Sequence, residues 1–300
     1  MLMRVRLTAF DILLYAVVVL AWGFAWIGIH FQIGVVSPDV SIVWRFLIVG
    51  VVMLALAWWR RDRLHFTLQE HLGFALIGSM LFCLNFLLFY HAAVTLPSGL
   101  LSIVFSLASF FNVWLGVIFL GAPIDLRVVL GGLLGAVGMA AMFYPQFEGA
   151  GFHQCAVIAL ILCVLGTLAF CFGNIVSATL QRRGIPVFSA SGYAMLYGCA
   201  ATALYAAFRG HAFIVDWSQA YLISLVYLAL IGSVLAFACY LTLLGRIGAD
   251  RAAYVTVLGP VVALVVSTFV ENFQWSIVAA LGLAAVLIGN VLVLRPAKNR

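Results

Sequence analysis

A chain of 300 residues has room for two soluble domains, but 66% of this one is hydrophobic and only 8% is charged. A soluble domain carries about 25% charged residues, and no soluble fold of this size covers so large an apolar core with so little polar surface. Those numbers exclude a secreted disulfide scaffold, a disordered chain and a nucleic-acid-binding domain, the net charge of +6 notwithstanding, and leave a polytopic membrane protein.

A helix crosses the hydrocarbon core with about 20 apolar residues. Apolar runs between polar punctuation predict ten spans, at 10–30, 39–59, 71–92, 98–119, 126–144, 154–180, 187–208, 217–244, 252–270 and 275–294. Arg4 and Arg6 precede the first, yet its apolar run exceeds a signal-peptide core and no small-residue cleavage site follows, so it is expected to stay uncleaved. Within it Trp22 and Trp26 lie one turn apart beside Gly23 and Gly28, deeper than the interfacial pair Trp58 and Trp59. They are read either as stacking surface for an aromatic or apolar substrate or as ordinary packing. Arg45 in the second span is expected to snorkel to the outer surface or form a structural pair, with pairing to a substrate carboxylate as the alternative.

The third span contains Ser79, Asn85, Phe86 and, near its outer end, His91. His91 is read as a packed, hydrogen-bonded histidine before it is read as a proton relay. In the fourth, Ser98, Ser102, Ser106, Ser109 and Asn112 fall within an arc of about 120°. Any one serine reads as a helix-packing contact, whereas the stripe as a whole reads as a cavity wall, with Ser102 and Ser106 deepest. Asn174 and Ser177 form one turn of the sixth span, and Ser233 and Tyr240 share a face of the eighth, as Ser79 and Phe86 do in the third. In the ninth, Tyr254 and Thr256 precede Pro260, whose missing N–H frees a carbonyl or kinks the helix. The connections are short and carry turn signals such as Ser37-Pro38, Thr95-Leu96-Pro97 and Gly184-Ile185-Pro186. Six cysteines form no CxxC pair and are read as apolar thiols, with neither metal nor disulfide.

Charge placement follows the span count. With ten spans, 13 of the 15 basic residues fall on one side, among them Arg60, Arg61, Arg63, Arg127, Arg182 and Arg183. The opposite loops hold only Arg209, which places both termini in the cytoplasm. All nine Asp and Glu residues are read as lying in loops or near span ends.

Repetition is visible along the chain. Ala75-Leu76-Ile77-Gly78-Ser79 recurs as Ala229-Leu230-Ile231-Gly232-Ser233, Gly131 and Gly138 recur as Gly282 and Gly289, and Pro38 is echoed by Pro186. The matches keep chain order, so a duplicated unit of five helices is expected, residues 1–148 and then 149–300. Because five is odd, the second copy enters the membrane inverted. Inverted repeats are the architecture of alternating-access transporters, whose sites lie between the halves.

Together with Trp22-Gly23, Pro260 and Glu271, these elements resemble the drug/metabolite transporter superfamily, EamA type, and most closely the YddG-type exporters of aromatic and other amino acids. Two departures are Ser106, where the first half would show a partner to Pro260, and Ala122, near where many members carry an acidic residue. The resemblance implies a central cavity bounded chiefly by the first, third, fourth, sixth, eighth and ninth helices. The expected protein is an all-α inner-membrane exporter of small metabolites, aromatic and other neutral amino acids foremost, working by alternating access without obligatory coupling. A proton-coupled exporter of other metabolites or drugs is the alternative. No cofactor is implied; the partners are a small-molecule substrate and the bilayer, with no nucleic acid, and the sequence leaves the oligomeric state open, a monomer being compatible with it. An intramembrane enzyme is disfavoured because G-x-S-x-G, H-E-x-x-H and paired mid-membrane acids are all missing from the sequence. The inverted halves argue against a passive receptor or scaffold. Fourteen Arg to one Lys associates the chain with a bacterial host.

Overall fold

The computed structural model describes residues 8–120, 126–148, 154–247 and 255–294, and every regular element among them is helical. We label the helices by contiguous run. α1 is Ala9–His30, α2 Pro38–Trp59, and α3 runs Leu68–Ile77, a π-helical Gly78–Leu84 and Asn85–Ala93. α4 comprises Ser98–Ser106 and Ala108–Leu120; α5 is Leu126–Glu148, α6 Gln154–Arg182 and α7 Val187–Phe208. α8 runs Gln219–Val226, a π-helical Tyr227–Leu235 and Ala236–Ile247, followed by α9, Val255–Val270, and α10, Ile277–Leu294. Eight stretches among the described residues are long and apolar enough to cross a bilayer, and two shorter apolar helices, Val257–Val270 and Ile277–Val293, complete the set.

The ends are written locally. Thr8 caps α1 and Thr67 caps α3, each in a reciprocal capping box with Asp11 and Glu70, while Ser37 caps α2 ahead of Pro38. α6 and α7 are each followed by a glycine in the left-handed region, Gly184 (φ 78°) and Gly210 (φ 73°), where the chain reverses.

Three helices depart from the uninterrupted rods expected. α4 breaks at Leu107, whose N–H bonds back three residues to Val104 O. Just before it, Ser102 Oγ and Ser106 Oγ donate to the carbonyls of Gly99 (2.6 Å) and Ile103 (2.7 Å), so hydroxyls compete with the helical ladder. α3 and α8 widen into π-helix around the repeated Ala-Leu-Ile-Gly-Ser motif. In α8, Ser233 Oγ donates five residues back to Leu228 O at 2.9 Å; in α3, Gly78 lies directly against the backbone of Ala194 and Gly198 in α7.

The packing has a regular plan. α5 lies along α10 and α2 along α7; α1 packs on α9 and α8, and α6 on α4 and α3. Exchanging the first five helices with the last five maps this list onto itself. At the α5–α10 crossing the backbones touch: a Cβ at Gly131 would fall 2.5 Å from Gly289 O, and one at Gly138 2.5 Å from Gly282 O. Phe46, Phe74, Tyr90, Leu100 and Met195 are fully enclosed in the main core.

Candidate functional site

The largest assembly of sequence-predicted residues is an aromatic wall along α1. Trp22 packs on Tyr240 of α8, ring centroids 5.3 Å apart, and edge-on to Phe237 at 6.1 Å. One turn on, Trp26 meets Phe89 of α3 at 5.3 Å and Phe105 of α4 at 5.4 Å, and Phe105 continues to Phe170 of α6 at 4.7 Å. Five helices thus converge on two tryptophans that are only half-buried. Gly23 makes the convergence possible, because a Cβ there would collide with Val262 of α9, two residues beyond Pro260.

Above Trp26, toward the end of α1, the wall becomes polar. Gln32 Oε1 accepts from the Tyr90 hydroxyl at 2.6 Å, and Arg45 Nη1 reaches the same hydroxyl at 3.5 Å. Arg45 Nη2 donates to Ser233 Oγ at 3.3 Å, and the guanidinium carbon lies 4.8 Å from the centroid of Phe86 and 5.5 Å from that of Phe46. Arg45 does not snorkel: it is 4% exposed, and its head points into the bundle because Tyr90 and Ser233 offer oxygens there. Ser233 and Phe86 therefore share one neighbour, whereas Tyr240, the repeat counterpart of Phe86, belongs to the Trp22 group. Ser79 is half-buried in the π-helical turn of α3.

Other candidates disperse. Asn174 Nδ2 donates to Asn112 Oδ1 at 3.4 Å, joining α6 to the second half of α4. Ser177 accepts from Gln181 within its own helix at 3.1 Å, and buried Asn85 donates to Leu81 O at 3.4 Å while its Oδ1 has no hydrogen-bond partner. Ser102 is enclosed in α4, and Ser106 accepts from Asn290 of α10 at 3.1 Å, a helix-packing contact. Pro260 is buried inside α9; Tyr254 lies outside the described residues.

His91 joins a different cluster. Its Nε2 lies 2.9 Å from Asp39 Oδ1, and His211 Nδ1 lies 2.8 Å from Asp39 Oδ2. Asp39, expected at a span end, is wholly buried because helix α3 and the segment after α7 bring these two imidazoles over it. At the same end of the bundle Glu271 accepts from Ser98 N and Oγ at 3.0 and 2.5 Å and lies 3.2 Å from His30 Nδ1. Among the described residues no three His, Cys, Asp or Glu side chains are arranged to hold a metal ion. All six cysteines are free thiols.

Gln32, Tyr90, Asp39 and His211 escaped the sequence reading. Gln32 and Asp39 sit beside turns, and only the fold turns them inward; Tyr90, next to His91, carried the one available signal, a phenol within an apolar run.

Known proteins supply the family. The EamA-like transporter family model matches residues 9–144 and 157–295. An Escherichia coli (strain K12) protein named "Probable amino-acid metabolite efflux pump" is 23% identical over 302 residues, covering 93% of each chain. A solved crystal structure superposes with a TM-score of 0.66 at 17% identity, covering 94% of this chain and 95% of the other, a likeness of fold. A multi-pass helical bundle matched along nearly its whole length, the chain belongs to the EamA-like transporter family.

Proposed function

We propose that the protein exports small metabolites, aromatic and other neutral amino acids foremost, from the bacterial cytoplasm across the inner membrane by alternating access. The observation that carries this reading is the pair of π-helical interruptions at matching positions of α3 and α8, beside the aromatic wall of α1. Irregular helices at corresponding places in two halves are the mark of a transporter's substrate site, and π-turns concentrate at functional positions. On this reading ten crossings form two inverted halves, residues 1–148 and 149–300, with both termini cytoplasmic. The exchangeable packing plan and the two-stretch family match support the duplication, and the basic residues near one end of the bundle support the orientation.

Cargo would occupy the space beside Trp22, Trp26 and Tyr240, with Ser79 and Ser233 in the π-helical turns of α3 and α8 supplying polar contacts. Bending at the π-turns and at Pro260 would open the two ends in turn. The name of the Escherichia coli relative supports an amino-acid cargo. Counterflow of labelled amino acids in proteoliposomes tests the proposal: exchange of labelled L-phenylalanine against internal unlabelled L-phenylalanine is expected, and no exchange for any of a panel of amino acids and other metabolites overturns it.

A second reading, proton-coupled export of other metabolites or drugs, is favoured by one observation, the buried Asp39 held between His91 and His211. Substrate accumulation driven by an imposed pH gradient separates the two.

A further inference from the structure

Arg45 is a cation placed about seven residues, or roughly 10 Å, inside a membrane helix. No carboxylate lies within ion-pair distance of it among the described residues. Its two hydrogen bonds, to Tyr90 at 3.5 Å and Ser233 at 3.3 Å, are long and go to neutral oxygens, and its Nε has no hydrogen-bond partner. Burying a guanidinium is costly unless a negative charge or full hydrogen bonding offsets it. Asp39 forms no ion pair with it; that carboxylate lies against His91 at 2.9 Å and His211 at 2.8 Å instead.

A second donor is idle in the same network. Gln32 is 1% exposed, its Oε1 is held by Tyr90, and its Nε2 has no partner. A buried guanidinium edge and a buried amide N–H₂, linked through one phenol, make a donor-rich, acceptor-poor cluster. Phe86 and Phe46 flank the guanidinium, fixing its plane and excluding water from one side.

We propose that Arg45, with Gln32, forms a carboxylate-binding subsite at the head of the aromatic wall, so that the cargo is an amphipathic carboxylate. A carboxylate matches the guanidinium fork with two parallel charge-assisted hydrogen bonds, which a lysine would not reproduce. The placement fits: Gln32 lies in the turn just past the end of α1, which closes about one helical turn beyond Trp26, so an aromatic amino acid can lie with its ring on the tryptophans and its carboxylate toward Gln32 and Arg45. Phe86 of the Arg45 group and Phe89 of the Trp26 group are one turn apart on α3, which joins the two surfaces. The choice of an amino acid as cargo rests on the export reading above; the subsite itself rests on Arg45 and Gln32.

Two measurements on the full-length protein in detergent and in proteoliposomes test it. Thermal stabilisation is titrated with L-phenylalanine, with phenylacetate, and with phenylalaninol, which keeps the ring and amine but lacks the carboxylate. Wild type should be stabilised by the two carboxylates at concentrations about tenfold or more below those phenylalaninol needs. Arg45→Gln should erase that preference, and Arg45→Lys should restore it only in part. Counterflow should show the same order of preference. Equal response to phenylalaninol in wild type, or a carboxylate preference that persists in Arg45→Gln, overturns the subsite. If Arg45→Gln does not fold, Gln32→Leu is measured in its place, and an unchanged preference there overturns the proposal. Carboxylate-selective stabilisation without flux of any probe sinks the export reading and leaves the subsite standing; flux without carboxylate preference does the reverse.

Discussion

Gly138 and Gly282 face one another across the α5–α10 crossing so closely that a Cβ on either would lie 2.5–2.6 Å from the other's carbonyl oxygen. Gly131 and Gly289 repeat the relationship two turns away. In lipid no hydrophobic force drives helices together, so this contact is held by dispersion between backbones and depends on the missing side chains. Gly138→Leu should therefore lower stability by at least about 1–3 kcal/mol, since the obstructing atoms are backbone and cannot move aside. Melting of the detergent-solubilised protein checks this. Gly116→Ala, where nothing lies within 4 Å of the new Cβ, should be neutral or slightly stabilising.

The aromatic wall predicts a selectivity change. Trp22 holds its place by packing on Tyr240 and edge-on against Phe237 and is half-buried, so part of its ring is free to meet cargo. Replacing it with alanine should weaken apparent affinity for aromatic substrates by about 2- to 12-fold, the worth of a ring contact at ~0.5–1.5 kcal/mol. Small substrates should change less. Transport KM for L-phenylalanine and L-alanine, at matched protein levels, reads the difference; an equal loss for both would mean that Trp22 is packing alone.

Orientation is tested from the loops. Single cysteines at Arg183, after α6, and at Trp217, before α8, stand at opposite ends of the bundle, and both sites are exposed. In a background where the exposed Cys155 is replaced, an impermeant thiol reagent applied to intact cells should label position 217 and leave position 183 unmodified. The opposite pattern would reverse the topology.

The spans were legible because a bilayer forces each helix to hide its own backbone groups, leaving long apolar runs and short polar turns. The glycines of α5 and α10 were legible as matching positions, although not as partners, since matching and touching are different relations: Gly131 matches Gly282 but touches Gly289. The π-turns were invisible, because Ala-Leu-Ile-Gly-Ser is ordinary helix sequence and only packing widens it. Arg45 could not be aimed from sequence. Its oxygen partners stand 45 and 188 residues away, and without them a long cation near a helix end defaults to the surface. Asp39 was placed at a span end, where it stands, but its burial could not be read, since the imidazoles beside it come from residues 91 and 211.

Energy coupling turns on where a proton can sit. A proton-driven carrier needs a group that takes up a proton from one side and releases it to the other as the cargo crosses, commonly a carboxylate within the membrane. Among the described residues the buried carboxylates are Asp11, in the first turn of α1, and Asp39, in the first turn of α2 at the opposite end of the bundle; Glu271, half-buried, lies just past α9 at the Asp39 end. Asp11 is tied to the Thr8 that caps α1, Asp39 and Glu271 are tied to histidines, and neither of the latter pairs with Arg45. Asp39 with His91 and His211 joins α2, α3 and the segment after α7, which is the geometry of a clasp on that end. In proteoliposomes, substrate should run down its own gradient at every imposed pH difference and should not accumulate uphill. His91→Ala should keep down-gradient flux. Uphill accumulation that follows the pH gradient and vanishes in His91→Ala would make the cluster a proton carrier and overturn the uncoupled reading.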